Sequence, residues 1–296
     1  MRFFLRLLLC GLLCFSTLSS AFAEGKKWAL LIGVEEYENP DISSLRFAVK
    51  DVLAVSKSLS RLGYQVYTMT SAETGVGNLK RPTNINVLKA LDRLSEDVRE
   101  GDTFLLYFTG HGFSKDGQGF LGAVNTDSSS IEALSISSIP VATLQKKIGK
   151  LKAKQIIFIV DACRNDPEKG KGDSDNKRTT DFSKSLLVAA KTANSGLGGS
   201  AVLFACDEGE RAFEDNEKGQ SAFTYYLLEG LNGKAETSGG KLLIYDVADY
   251  VQREVRQWAK EHGKRQTPQL KTDGAAKIIL ADNVTNLAQA PAIQHY

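Results

Sequence analysis

Residues 103–112 read TFLLYFTGHG, and residues 155–165 read QIIFIVDACRN. Each opens with a short, continuous apolar run containing β-branched or aromatic side chains. A run of that length and composition reads as a strand covered on both faces, the kind found in parallel sheets. Both runs stop at small and polar residues: Thr109-Gly110-His111-Gly112 in one, Asp161-Ala162-Cys163-Arg164-Asn165 in the other. In open α/β sheets, functional groups gather beyond the carboxyl ends of the strands. Chemistry is therefore expected at these two stops.

The pattern extends in both directions. Residues 28–34 (WALLIGV) form another continuous apolar run ending near a glycine. Residues 44–62 place Leu45, Val49, Val52, Leu53, Val55, Leu59 and Leu62 at helical spacing, and Gly63 ends the run. Residues 64–69 predict a strand, and residues 83–98 a helix with Ile85, Leu88, Leu91 and Leu94 on one face. A helix over 139–148 has Pro140 in its first turn. A strand is predicted at 201–205, helices at 221–231 and 243–258, and a last strand at 276–280. Strands alternating with helices specify an α/β protein, with a mostly parallel sheet of about six strands flanked by helices on both faces. This domain spans residues 24–281. Residues 164–200, rich in Lys, Asp, Gly and Ser, read as a long mobile loop, and residues 282–296 as a flexible tail.

Composition narrows the function. With 296 residues, 42% hydrophobic and 24% charged, the chain is globular rather than disordered, collagenous or coiled-coil. Residues 1–23 have the three parts of a secretory signal: Arg2 and Arg6, an apolar run over residues 7–15, and Ala21-Phe22-Ala23 as a cleavage site. The layout is bacterial in type, and it predicts an exported protein, periplasmic or secreted, with no membrane attachment after cleavage. Without Arg2 and Arg6 the basic residues equal the 35 acidic ones. A neutral chain does not hold nucleic acid through bulk charge. Cys10 and Cys14 fall within the signal, leaving Cys163 and Cys206.

Of the three histidines, one ends the run at 103–108, and one of the two remaining cysteines follows the run at 155–160. A thiol becomes a strong nucleophile when an imidazole takes its proton. His111 and Cys163 are thus candidate base and nucleophile. Gly110 and Gly112 let the chain turn tightly around His111. The backbone N–H groups of Gly112 and Cys163 are candidates for an oxyanion hole. The other two histidines, His262 and His295, have no metal-ligand spacing to any other residue, and no metal site or cofactor is expected.

The chain resembles the caspase-like cysteine peptidases, nearer their bacterial and metacaspase branch than the animal caspases. The resemblance rests on ALLIGVEEYENP, LRFAVKDV, YFTGHG, IVDACRND, FACDEGERAFED and QSAFTYYLLEGL, spread over residues 27–280. It implies a caspase–hemoglobinase fold, His111 as base and Cys163 as nucleophile. It also implies a primary specificity (S1) pocket lined by Asp51, Asp161, Thr109 and Asp207. Two carboxylates in one pocket favour protein or peptide substrates with Arg or Lys before the cut. Arg164 stands where metacaspases often carry His. The acidic calcium positions of metacaspases are not cleanly matched: Asp127 corresponds to one, and Gly170 stands near another. The 164–200 loop occupies the inter-subunit linker position, and Lys169, Lys171, Lys177 and Arg178 are its candidate self-cleavage sites. A non-catalytic binding protein on the same fold is the alternative reading.

Overall fold

The runs at 103–109 and 155–161 lie side by side as parallel strands, Thr103 opposite Gln155 and Thr109 opposite Asp161. The computed structural model describes residues 25–75, 77–162, 164–165, 198–207, 209–274, 277–282 and 284. The expected signal over 1–23, Cys163, loop residues 166–197 and the tail from 285 lie outside the described residues. In chain order the elements are β1 (Lys27–Gly33), α1 (Ala48–Arg61), β2 (Tyr64–Thr70), α2 (Asn84–Asp97), β3 (Thr103–Thr109), β4 (Gly112–Lys115), β5 (Gln118–Leu121), α3 (Ile131–Ser137), β6 (Ile139–Pro140), α4 (Val141–Ile148) and β7 (Gln155–Asp161). Then follow β8 (Arg164–Asn165), β9 (Gly199–Phe204), β10 (Glu214–Asp215), β11 (Gln220–Ser221), α5 (Ala222–Glu229), β12 (Leu242–Leu243), α6 (Ile244–Glu261), β13 (Gln269–Asp273) and β14 (Ile279–Ala281). Among the described residues, no helix is long and apolar enough to cross a membrane.

The main sheet has six strands in the order β13-β9-β7-β3-β1-β2. All neighbours are parallel except β13, which runs antiparallel to β9. Alternate residues of each strand enter opposite layers. Leu30, Ile32, Phe104, Leu106, Phe108, Ile156 and Phe158 pack with Val87, Leu91 and Leu94 of α2 and Val141, Leu144 and Ile148 of α4. Ala29, Leu31, Leu105, Tyr107, Ile157 and Ile159 pack with Val52, Val55 and Leu59 of α1, Phe223 and Leu227 of α5, and Val247, Val251 and Val255 of α6. Each fully buried large apolar side chain contributes about 1.5–3 kcal/mol. This two-sided burial is why the central strands are apolar without alternation.

Several expectations need correction. The last strand, expected at 276–280, is β14. It pairs with β12 in a separate two-stranded ribbon, outside the main sheet. The sixth strand of the main sheet is β13, whose QLKTD residues are all only half-buried, so its edge position leaves no apolar run to read. Helix α1 starts at Ala48, not at residue 44, because its first turn is capped from outside: the Glu35 carboxylate accepts the Val49 N–H at 3.1 Å. Pro140 precedes α4 and pairs with Phe120 in a short strand rather than opening the helix. Leu53 and Ile85, placed on the apolar faces by spacing, are exposed. The β4–β5 hairpin went unpredicted, although its two-residue turn, Asp116-Gly117 with φ of 50° and 75°, has the residues that such turns demand.

Candidate active site

Register along the sheet brings the strand ends together: Gly33 is opposite Thr109, and Thr109 is opposite Asp161. Beyond them opens a cavity of about 620 Å³ lined by Asp51, Thr109, Gly110, His111, Asp161, Glu214 and Ser221, among others. Gly33 lets α1 approach closely, since a Cβ there would lie 2.7 Å from the Ala48 carbonyl oxygen.

His111 is held through its backbone. The Gly110 N–H donates to the Asp161 carbonyl at 3.3 Å, the His111 N–H to the Tyr37 hydroxyl at 2.8 Å, and the Gly122 N–H to the His111 carbonyl at 2.8 Å. The ring stands between Tyr37 and Phe113, with centroids 5.2 Å and 6.3 Å away. Its Nε2 lies 2.7 Å from the Ser43 carbonyl oxygen. A carbonyl only accepts, so this bond assigns the proton of the neutral ring to Nε2 and leaves the Nδ1 lone pair available. Burial pushes the imidazole below its usual 6.5, opposed by the Ser43 hydrogen bond and the Glu214 charge.

Cys163 lies outside the described residues, but its chain neighbours do not. The 110–161 hydrogen bond joins the two segments before His111 and Cys163. The parallel pairing of Gly112 with Arg164 joins them again just after. Gly112 opens β4 directly beyond His111.

Asp51 and Asp161 are both buried, at 1% and 5% exposure. Ser221 connects them. Its backbone N–H donates to Asp51 at 3.2 Å, and its hydroxyl donates to Asp161. Gln220 adds a bond to Asp51 at 3.3 Å, and the Thr224 hydroxyl adds one to Asp161 at 2.9 Å. Ser221 also caps α5, accepting the Thr224 N–H at 2.9 Å. Burial pushes the Asp161 carboxyl up to about 6 against those hydrogen bonds, with Glu214 adding to the rise. Burial also holds Asp51 well above the usual carboxylate range, and the Asp161 charge pushes it further. Thr109 is buried and lines the same cavity. Glu214 is paired with Arg46, accepting its backbone N–H at 2.6 Å and its Nε at 3.2 Å.

The structure thus brings together His111, Asp51, Asp161 and Thr109. It does not bring Asp207 into the lining: this residue follows β9, and its backbone N–H donates to Glu210 at 3.3 Å. Cys206 is buried, its thiol 3.6 Å from the Glu210 carbonyl. Asp127 is outside the cavity lining, and its carboxylate accepts the Ser129 N–H at 2.9 Å. Sequence reading missed Ser43, whose contribution is a backbone carbonyl and has no residue-type signature. It also missed Ser221, which the helix-capping spacing of Ser221 and Thr224 marks.

Comparison with known proteins bears on the family and the fold. The family model for the caspase domain matches residues 26–278. Metacaspase-1B of Aspergillus clavatus is 34% identical over 90 residues, covering 30% of this chain and 22% of that protein. Metacaspase-1 of Scheffersomyces stipitis is 32% identical over 92 residues, with the same coverage of each chain. The matched stretch is therefore about a fifth of the length of these relatives. A crystal structure of a Geobacter sulfurreducens protein superposes with a TM-score of 0.57 at 14% identity, over 85% of this chain and 95% of that one, a likeness of fold. With a family match across nearly the whole described sheet and its helices, the chain belongs to the caspase-domain family.

Proposed function

We propose that this protein is an exported cysteine endopeptidase that cuts peptide bonds after Arg or Lys. The observation that carries the reading is one cavity lined by His111 and by two buried carboxylates, Asp51 and Asp161. A guanidinium or ammonium entering there finds fixed acceptors, and its charge favours their ionised forms. Thr109 forms part of the pocket wall.

In the proposed reaction, His111 Nδ1 takes the proton of the Cys163 thiol. The thiolate attacks the scissile carbonyl carbon, and the backbone N–H groups of Gly112 and Cys163 receive the developing oxyanion. Collapse of the tetrahedral intermediate breaks the C–N bond, and the leaving amine takes the proton from Nδ1. A thioester remains. Water, deprotonated by His111, attacks it; the C–S bond breaks, the thiolate takes the proton back from Nδ1, and the new carboxyl group releases its remaining proton to solvent. The Ser43 carbonyl keeps the reacting tautomer and steadies the imidazolium.

The test is hydrolysis of fluorogenic peptides with Arg, Lys or Asp before the cut, by mature protein in a reducing buffer. Arg and Lys peptides are expected to be cleaved and Asp peptides not. Activity is expected to vanish in Cys163→Ala and to fall by at least about 1,000-fold in His111→Ala. Cleavage after Asp would remove the specificity assignment. Cleavage of none would favour a binding protein on this fold. For export, N-terminal sequencing of the periplasmic or secreted form is expected to begin near Glu24.

A further inference from the structure

A second cavity, of about 600 Å³, lies between the turn at 209–213 and the turn at 263–265. It shares a wall with the first: Arg211, Phe213 and Lys264 line both. The charged residues around it are Arg211, Lys264, Arg265 and Glu210. Glu210 is already committed. It accepts from Arg265 Nε at 2.7 Å, the Thr267 N–H at 2.6 Å, the Thr267 hydroxyl at 3.1 Å and the Asp207 N–H at 3.3 Å. That consumes the one acid and one of the three cations.

Among the described residues the other two cations have no such partner. Arg211 is exposed and makes no salt bridge among the described residues. The Lys264 ammonium lies over two aromatic rings, 4.7 Å from the Phe213 centroid and 4.9 Å from that of Trp258. Ring stacking orients this charge without neutralising it. Among the described residues the cavity therefore carries two positive charges with no carboxylate partner, beside a cavity whose wall carries carboxylates.

We propose that the second cavity binds an acidic side chain of the peptide substrate, with Arg211 and Lys264 as partners of its carboxylate. The preferred substrate then joins an acidic residue, a few positions upstream, to the basic residue at the cut. This rests on the peptidase reading above. A free anion such as phosphate shares the chemistry, but the common wall with the cleft favours a carboxylate carried on the same peptide.

The experiment compares peptides with Arg before the cut and with Glu, Gln or Lys at each of the three preceding positions in turn. Wild type and the Arg211→Gln/Lys264→Gln double variant are assayed at low and high salt. At one position Glu is expected to exceed Gln by about tenfold in kcat/KM, and Lys to fall below Gln. Added salt should shrink the advantage, and the double variant should bring it below about twofold. Equal rates for Glu and Gln at every position, or an advantage that survives in the double variant, would overturn the inference alone. A thermal shift with inorganic phosphate, lost in the variant, without any Glu preference would identify a free-anion site and overturn the substrate assignment. Failure to cleave any peptide would overturn the peptidase reading, and this inference with it.

Discussion

Asp161 couples stability to recognition. Its carboxyl titrates near 6 in the folded protein, against 3.8 for an unperturbed Asp. Between those values the folded state holds a proton that the unfolded state has lost. The group's contribution to stability is complete below about pH 4, and it is lost as pH rises through 6, at a cost of about 3 kcal/mol. Asp161→Asn keeps an acceptor for Ser221 and Thr224 and removes the charge. Urea denaturation is expected to show a flatter pH profile and a gain approaching about 3 kcal/mol at pH 8. The same variant should lose about 100-fold in kcat/KM for Arg peptides. In the wild type, KM for Arg peptides should rise as pH falls below about 6, because the protonated pocket no longer offers a charge. Burial holds the His111 imidazole below its usual 6.5; its protonation acts on the chemical step and is read in kcat, so the KM limb reports the pocket carboxyl. Tyr37 is tested separately. Tyr37→Phe leaves the His111 N–H without its 2.8 Å acceptor, and kcat is expected to drop about tenfold with KM little changed. His111 and Cys163 stand out in the sequence as candidates because rare side chains follow two apolar runs there. Ser43 and Tyr37 were not, because their roles come from folding distant segments onto one imidazole.

At the scale of elements, α1 and β1 meet at a glycine. A Cβ at residue 33 would also lie 2.7 Å from Val52 Cγ2, with the Ala48 backbone equally near. Gly33→Ala must push α1 outward, and it is expected to cost about 2 kcal/mol in denaturant unfolding. Because α1 carries Asp51, KM for Arg peptides should rise as well. Parallel strands β1, β3 and β7 were readable from apolar runs because helices cover both of their faces. Strand β13 was not, since an edge strand with half-buried residues has no such constraint. The start of α1 was misread for a related reason. Its cap is Glu35, 13 positions before the first helical residue, where no local spacing rule looks.

Across the whole molecule, the two ends of the sheet do different work. Asp102, at the start of β3, accepts from the Lys26 N–H at 2.8 Å, Trp28 Nε1 at 2.9 Å and the Arg99 N–H at 2.8 Å. It ties the beginning of β1 to β3 at the edge remote from His111. Asp102→Ala leaves three donors unpaired and is expected to cost about 3 kcal/mol in unfolding free energy, with kcat/KM unchanged. The family was legible from motifs spread over residues 27–280, and the helix-covered parallel sheet from apolar runs that alternate with amphipathic segments. The charges of the second cavity were not, because residues 209–213 and 263–265 meet only once the sheet is formed. One stretch joins both kinds of work. Residues 43–51 supply the acceptor for the His111 ring at Ser43 and, in the first turn of α1, the Asp51 carboxylate. A shift of this stretch moves the proton acceptor and the pocket charge together. Evolution toward a different cleavage preference through this stretch would then have a narrow route: each accepted change must alter what the pocket welcomes while leaving the tautomer of His111 where it is.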